Sequence, residues 1–124
     1  MKVLAIKSNN KVTSMDIYTQ KSSEITANDM KRWISGSIEI VYATKISRLA
    51  YLYIMFVEKD AKHRPVNRLA SLLLNEGEGV VRGDAIIART DKFATTAKTF
   101  ALDEDEAKDI VERISKLAKS KLGL

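Results

Sequence analysis

Residues 49–57 read Leu-Ala-Tyr-Leu-Tyr-Ile-Met-Phe-Val and form the longest apolar run in the chain. The run has no helical period and is rich in β-branched and aromatic residues, which favour the extended backbone. Its apolar residues fall on both faces of an extended strand. Such a strand is stable only when covered from both sides, so it belongs at the centre of a sheet. It is about half the ~20 residues a membrane-spanning helix needs, so no membrane association is expected.

The remaining elements are arranged around that strand. Val3-Leu4-Ala5-Ile6 ends at Ser8-Asn9-Asn10, after which Val12, Met15, Ile17 and Tyr18 alternate loosely with polar residues. This predicts a β-hairpin turning at Asn9-Asn10, because Asn tolerates positive φ. Residues 21–24 read as a linker. Thr26 and Asp29 have capping-box spacing, and Ile25 and Met30 have that of a hydrophobic staple. They predict a helix of about two to three turns with Met30, Trp33 and Ile34 inward, Trp33 as core anchor and Gly36 as the stop. Residues 37–42 predict a half-buried strand, and residues 58–64 a charged turn.

Pro65 suits a helix start, and Asn67 suits the cap of a helix over residues 68–74 with Leu69, Leu72 and Leu73 inward. Residues 80–89 predict another interior strand, interrupted at Gly83-Asp84 by a bulge or a close backbone approach. Residues 90–99 carry no clear pattern, although Phe93 and Phe100 are candidate anchors. Asp103 and Glu106 then open the clearest amphipathic helix, over residues 103–122, with Ala107, Ile110, Val111, Ile114, Leu117 and Ala118 on one stripe. The order is ββαββαβ followed by that helix. We expect one α+β domain over residues 1–124, with a mostly antiparallel mixed sheet, two short helices and a longer C-terminal amphipathic helix.

Composition removes several function classes. The chain has no Cys and one His, which excludes thiol catalysis and Cys- or His-based metal sites. A net charge of +5 permits an anionic partner without demanding one. No cofactor motif is present, since Gly77-Glu78-Gly79 lacks the length and the following Lys-Ser/Thr of a phosphate loop. Residues 1–7 are too short and too polar for a secretory signal, so a cytoplasmic protein is expected.

Three segments carry a resemblance. Ser35-Gly36-Ser37-Ile38-Glu39 is similar to a Gly-Gly-Tyr-Ile-Glu strand start, Pro65-Val66-Asn67-Arg68-Leu69-Ala70 matches Pro-x-Asn-x-x-Ala, and Val81-Arg82-Gly83-Asp84-Ala85-Ile86 is similar to Ile-x-Gly-Asp followed by small apolar residues. In this order they resemble a family of small phage and plasmid proteins catalogued only as a domain of unknown function. The likeness covers residues 1–90, and the C-terminal helix loosely. The chain lacks the second Gly and the aromatic before Ile38, and carries Glu58-Lys59-Asp60-Ala61 where the family has an Asn-Glu-Gly turn. The resemblance implies a fold and a mobile-element setting, hence the host cytoplasm if the source is viral. It implies no reaction.

Most unusual residues have structural explanations. Asn67 suits a cap, Asp84 a backbone anchor beside Gly83, and His63 a solvated loop. The lysines Lys116, Lys119 and Lys121 complement the dipole of the last helix. The arginines are unexplained. Arg64 and Arg68 are four residues apart, and Arg82 and Arg89 flank the second interior strand. A rim of Arg64, Arg68, Arg82 and Arg89 beside Asn67 would suit a phosphate or carboxylate. The expected function is therefore that of a non-enzymatic accessory protein, without cofactor or metal, binding a protein partner or small anionic ligand. Two alternatives are a nucleic-acid-binding regulator and a metal-dependent hydrolase or nuclease using Asp84, Glu39 and Glu58. The narrow stripe of the last helix favours packing on its own sheet and leaves a homodimer open.

Overall fold

A computed structural model of the chain describes residues 2–17, 24–47, 52–75, 79–90 and 98–124. In chain order the elements are β1 (Lys2–Ile6), β2 (Val12–Asp16), β3 (Glu24–Ile25), a 3-10 helix (Ala27–Arg32), β4 (Ile38–Tyr42), β5 (Leu52–Glu58), α1 (Arg68–Leu72), β6 (Ala85–Thr90), β7 (Thr99–Phe100) and α2 (Glu104–Leu122). The strands form an α+β fold around one sheet of order β2-β1-β6-β5-β4, with β7 joining β6 and β3 joining β7. Every strand pairing is antiparallel.

The expected central strand is β5, between β6 and β4; residues 49–51 of the apolar run lie outside the described residues. Its alternate side chains feed two cores, as period-2 geometry requires. Tyr53, Met55 and Val57 join Leu4, Ile6, Leu69, Leu73, Ile110 and Ile114 under the two α-helices. Ile54 and Phe56 join Val3, Met30, Ile34 and Ile86 under the 3-10 helix. The covering on both faces follows directly from an apolar run with no polar side.

The β1–β2 hairpin turns with Asn10 at φ 71°. At the far end of the chain, α2 has the expected capping box, Asp103 accepting from the Glu106 amide and Glu106 from the Asp103 amide. It closes on Gly123 in the left-handed region.

Four local expectations change. The first helix is a 3-10 helix of six residues. Its start is as expected, the Asp29 carboxylate accepting from both the amide and the hydroxyl of Thr26. Trp33 is only half-buried, and Met30 and Ile34 are the buried anchors. In α1, Leu69, Leu73 and Leu74 are buried while Leu72 is half-buried. Strands β3 and β7 are additions, two residues each, too short to show a period in sequence. Phe100 lies in β7 and is half-buried, whereas Phe93 lies outside the described residues.

Candidate functional site

Antiparallel pairing brings several chain segments to one end of the sheet. Ile6 pairs with Ala85, and Ile38 with Glu58, so the ends of β1 and β5 and the starts of β4 and β6 lie together. A cleft of about 270 Å³ opens there, lined by Trp33, Ile34, Ser35, Glu58, Arg64 and Pro65, with Ser8, Gly83 and Asp84 completing its wall.

Asn67 holds this end together. Its Oδ1 accepts from the Ala70 amide at 3.0 Å, the expected α1 cap. Its Nδ2 donates to the carbonyls of Ile6 and Gly83, both at 2.9 Å. One side chain thus joins the end of β1, the turn before β6 and the start of α1. It is 0% exposed, with both amide protons committed. Asn67 is therefore closed off from the cleft; it sets the positions of the residues that line it.

Beside Asn67, residues 65–67 run against residues 81–83. The Asn67 amide donates to Val81 O, the Gly83 amide to Pro65 O, and Val66 bridges Arg82. This pairing places Arg64 over Gly83. Gly83 has φ +78°, and an added Cβ would lie 3.4 Å from Arg64 Cγ. The bare backbone thus permits both the turn and the close approach of the Arg64 stem.

The polar centre of the cleft is the Arg64–Glu58 pair. Arg64 Nε donates to Glu58 Oε2 at 3.1 Å, and Nη2 donates to Ser35 Oγ at 2.8 Å. The Glu58 side chain is 11% exposed, so the guanidinium supplies the partner that a largely buried carboxylate requires. His63 Nε2 stands 4.0 Å from the same oxygen. Gly36 makes room on the other side, where an added Cβ would lie 3.1 Å from Glu58 Oε1. Asp84 anchors the wall, accepting from the Ser8 amide at 3.1 Å and from Lys7 Nζ at 3.2 Å.

The four arginines do not form one rim. Arg64 lines the cleft, and Arg82 braces it from behind, Nη1 donating to the Arg64 carbonyl at 3.2 Å. Arg68 is exposed at the start of α1 and does not line the cleft. Arg89 is at the other end of β6, about 20 Å away at ~3.3 Å per residue. There it faces Glu106 at 3.8 Å, and the buried Tyr53 hydroxyl donates to that carboxylate at 2.7 Å. Burial first, and then Glu106, push the Tyr53 phenol above its ordinary range. This second cluster ties the start of α2 to the sheet.

Sequence reasoning did not identify Ser8, Ser35 and the Trp33 rim as cleft residues, and named Glu58 only as a metal carboxylate. Gly36 and Gly83 were the available signal, since each has positive φ and stands against a cleft side chain. Among the described residues, no group of three His, Asp or Glu side chains is placed to hold a metal. Ser35 Oγ accepts from a guanidinium, the wrong polarity for activation as a nucleophile. Among the described residues, no helix is long and apolar enough to cross a membrane. Comparison of the chain with protein-family models, curated proteins and solved structures finds no match.

Proposed function

We propose that this chain is a non-catalytic binding protein whose Arg64 cleft receives the anionic group of a small ligand or of an acidic side chain on a partner protein. The observation that carries the proposal is convergence. Ser35, Gly36, Glu58, Arg64, Asn67, Gly83 and Asp84 come from four separate segments and meet at one cleft through direct contacts. The Arg64 fork uses Nε and Nη2 inside the protein, and Nη1 has no hydrogen-bond partner among the described residues, which leaves it for an anion. The half-buried Trp33 supplies a flat apolar wall. The volume falls just below the ~300–1,000 Å³ of pockets that enclose drug-sized ligands. It suits a small carboxylate or phosphate better than a whole nucleotide.

The proposed setting is a phage or plasmid accessory protein, supported by the resemblance of the same segments that build the cleft. Thermal unfolding in inorganic phosphate, acetate or citrate, against chloride at matched ionic strength, tests the reading. A ligand at a hundredfold its Kd adds about 2.7 kcal/mol to stability. We expect one of these anions to raise Tm, Arg64→Gln to abolish the rise and Arg89→Gln to keep it. A rise that survives Arg64→Gln would move the site elsewhere, and no rise with any of the three would remove the anion reading.

A further inference from the structure

The two ends of the main sheet differ. β2 exposes Thr13, Ser14 and Asp16 and keeps Val12 and Met15 half-buried, a polar edge that discourages further pairing. β4 reverses this, with Ile40 51% exposed and Tyr42 40% exposed. It contains no Lys and no Pro, the residues that commonly blunt an edge.

The backbone of β4 has a defined outward set. The Ala43 amide donates to Tyr53 O, and the Lys59 amide donates to Ser37 O. Opposed residues in an antiparallel pair alternate between bonded and non-bonded. Odd-numbered residues of β4 therefore bond β5, while Ile38 and Ile40 direct their amide and carbonyl away from it. Among the described residues, no strand lies beyond β4. Ile38, Ile40 and Tyr42 share one face, the side of the 3-10 helix, where Ile38 packs against that core.

From this we infer that β4 pairs with β4 of a second copy, antiparallel about Ile40, joining two sheets into one. The register is self-complementary. Ile40 faces Ile40 of the second copy in a bonded pair, and Ile38 faces Tyr42 of the second copy. Glu39 faces Val41 of the second copy, so no like charges stand directly opposite. Two further consequences set the strength of the dimer. A five-residue edge with two exposed apolar side chains covers less than the ~800 Å² per partner of a standard interface, so a micromolar dimer is expected. Each chain also carries +5, so added salt should tighten association by screening the repulsion.

Sedimentation equilibrium of the full chain from micromolar to millimolar concentration tests association, with Ile40→Lys as the disrupting variant. Ile40 is an exposed position, and an unchanged circular dichroism melt confirms that the variant folds. The chain has no Cys, so single-cysteine variants report the register without background. In a bonded pair the two Cα atoms lie about 5.5 Å apart, within disulfide reach, so Ile40→Cys is expected to cross-link under mild oxidation. In Ile38→Cys the two positions lie roughly 14 Å apart along the strands and are expected to stay apart. A wild-type chain that remains monomeric at millimolar concentration overturns the pairing and leaves the edge to an extended segment of another protein. A dimer that persists in a folded Ile40→Lys variant, or cross-links through residue 38 and not 40, overturns it equally.

Discussion

Replacing Asn67 separates its capping role from its role in joining distant segments. An Asn cap is worth about 1 kcal/mol, which Asn67→Ser would largely retain. Either Ser or Ala removes the two Nδ2 bonds to Ile6 O and Gly83 O. A buried acceptor left without a donor costs about 1–3 kcal/mol. The Ile6 carbonyl sits in a fully buried residue and belongs at the upper part of that range, whereas Gly83 is partly exposed. Asn67→Ala should therefore lose about 4 kcal/mol and Asn67→Ser about 3 kcal/mol. That is a large share of the ~5–15 kcal/mol that holds a domain folded, and corresponds to a fall in Tm on the order of 10–15 °C. Asn67→Asp keeps the cap but points a carboxylate at two carbonyls. Its acid form would be favoured in the fold, raising its pKa above the unfolded value of about 3.9. A raised folded pKa gives relative stability that is present below the unfolded value and lost as pH rises. Asn67→Asp should thus come closest to the parent chain in acid and diverge towards neutrality. Urea unfolding followed by the fluorescence of Trp33, the only tryptophan, measures all three variants. A loss near 1 kcal/mol in Asn67→Ala, with Asn67→Asp matching the parent at neutral pH, would refute the linking role and leave Asn67 a cap alone.

Other outcomes follow from single contacts. Gly83→Ala places a Cβ at positive φ and 3.4 Å from Arg64 Cγ, so it should cost about 1–2 kcal/mol and remove the anion-dependent rise in Tm; an unchanged rise would detach Gly83 from the site. Tyr53 is held protonated above its ordinary range, so its stabilising contribution is complete below pH ~10 and declines as pH climbs beyond it. Before alkaline unfolding, the parent chain and Tyr53→Phe should show equal tyrosinate absorbance, and a larger parent signal would count against the buried Tyr53–Glu106 bond. The cleft, about 270 Å³, is too small to admit a duplex, so random duplex DNA should not engage it. A steep salt-dependent affinity for DNA lost in Arg64→Gln would contradict this.

What could be read from the residues depended on the range of the interaction. The β5 position followed from an apolar run, and the α2 start from Asp103 and Glu106, because both signals lie within a few residues. The cap made by Asn67 was equally local, reaching only Ala70. Its other two bonds reach residues 61 and 16 positions away, and no local pattern encodes them. The grouping of Arg89 with Arg82 had a different weakness. Residues that flank a strand stand at its two ends, and β6 spans six residues, so proximity in sequence meant separation in space. The 3-10 helix shows the limit of a capping motif. Thr26 and Asp29 mark where the chain turns, but six residues do not specify which helical winding continues.

The placement of β1 has a consequence for synthesis. This strand lies inside the finished sheet, yet one of its two neighbours, β6, begins at Ala85. Between translation of Ile6 and of Ala85 the ribosome works for roughly 4–16 s at about 5–20 residues per second. Once β2 has been made, the β1–β2 hairpin carries Val3, Leu4, Ala5 and Ile6 with one flank unpaired for the rest of that interval. A strand buried in the mature protein therefore begins as an exposed edge, and the nascent chain must be kept from other nascent chains until β6 arrives.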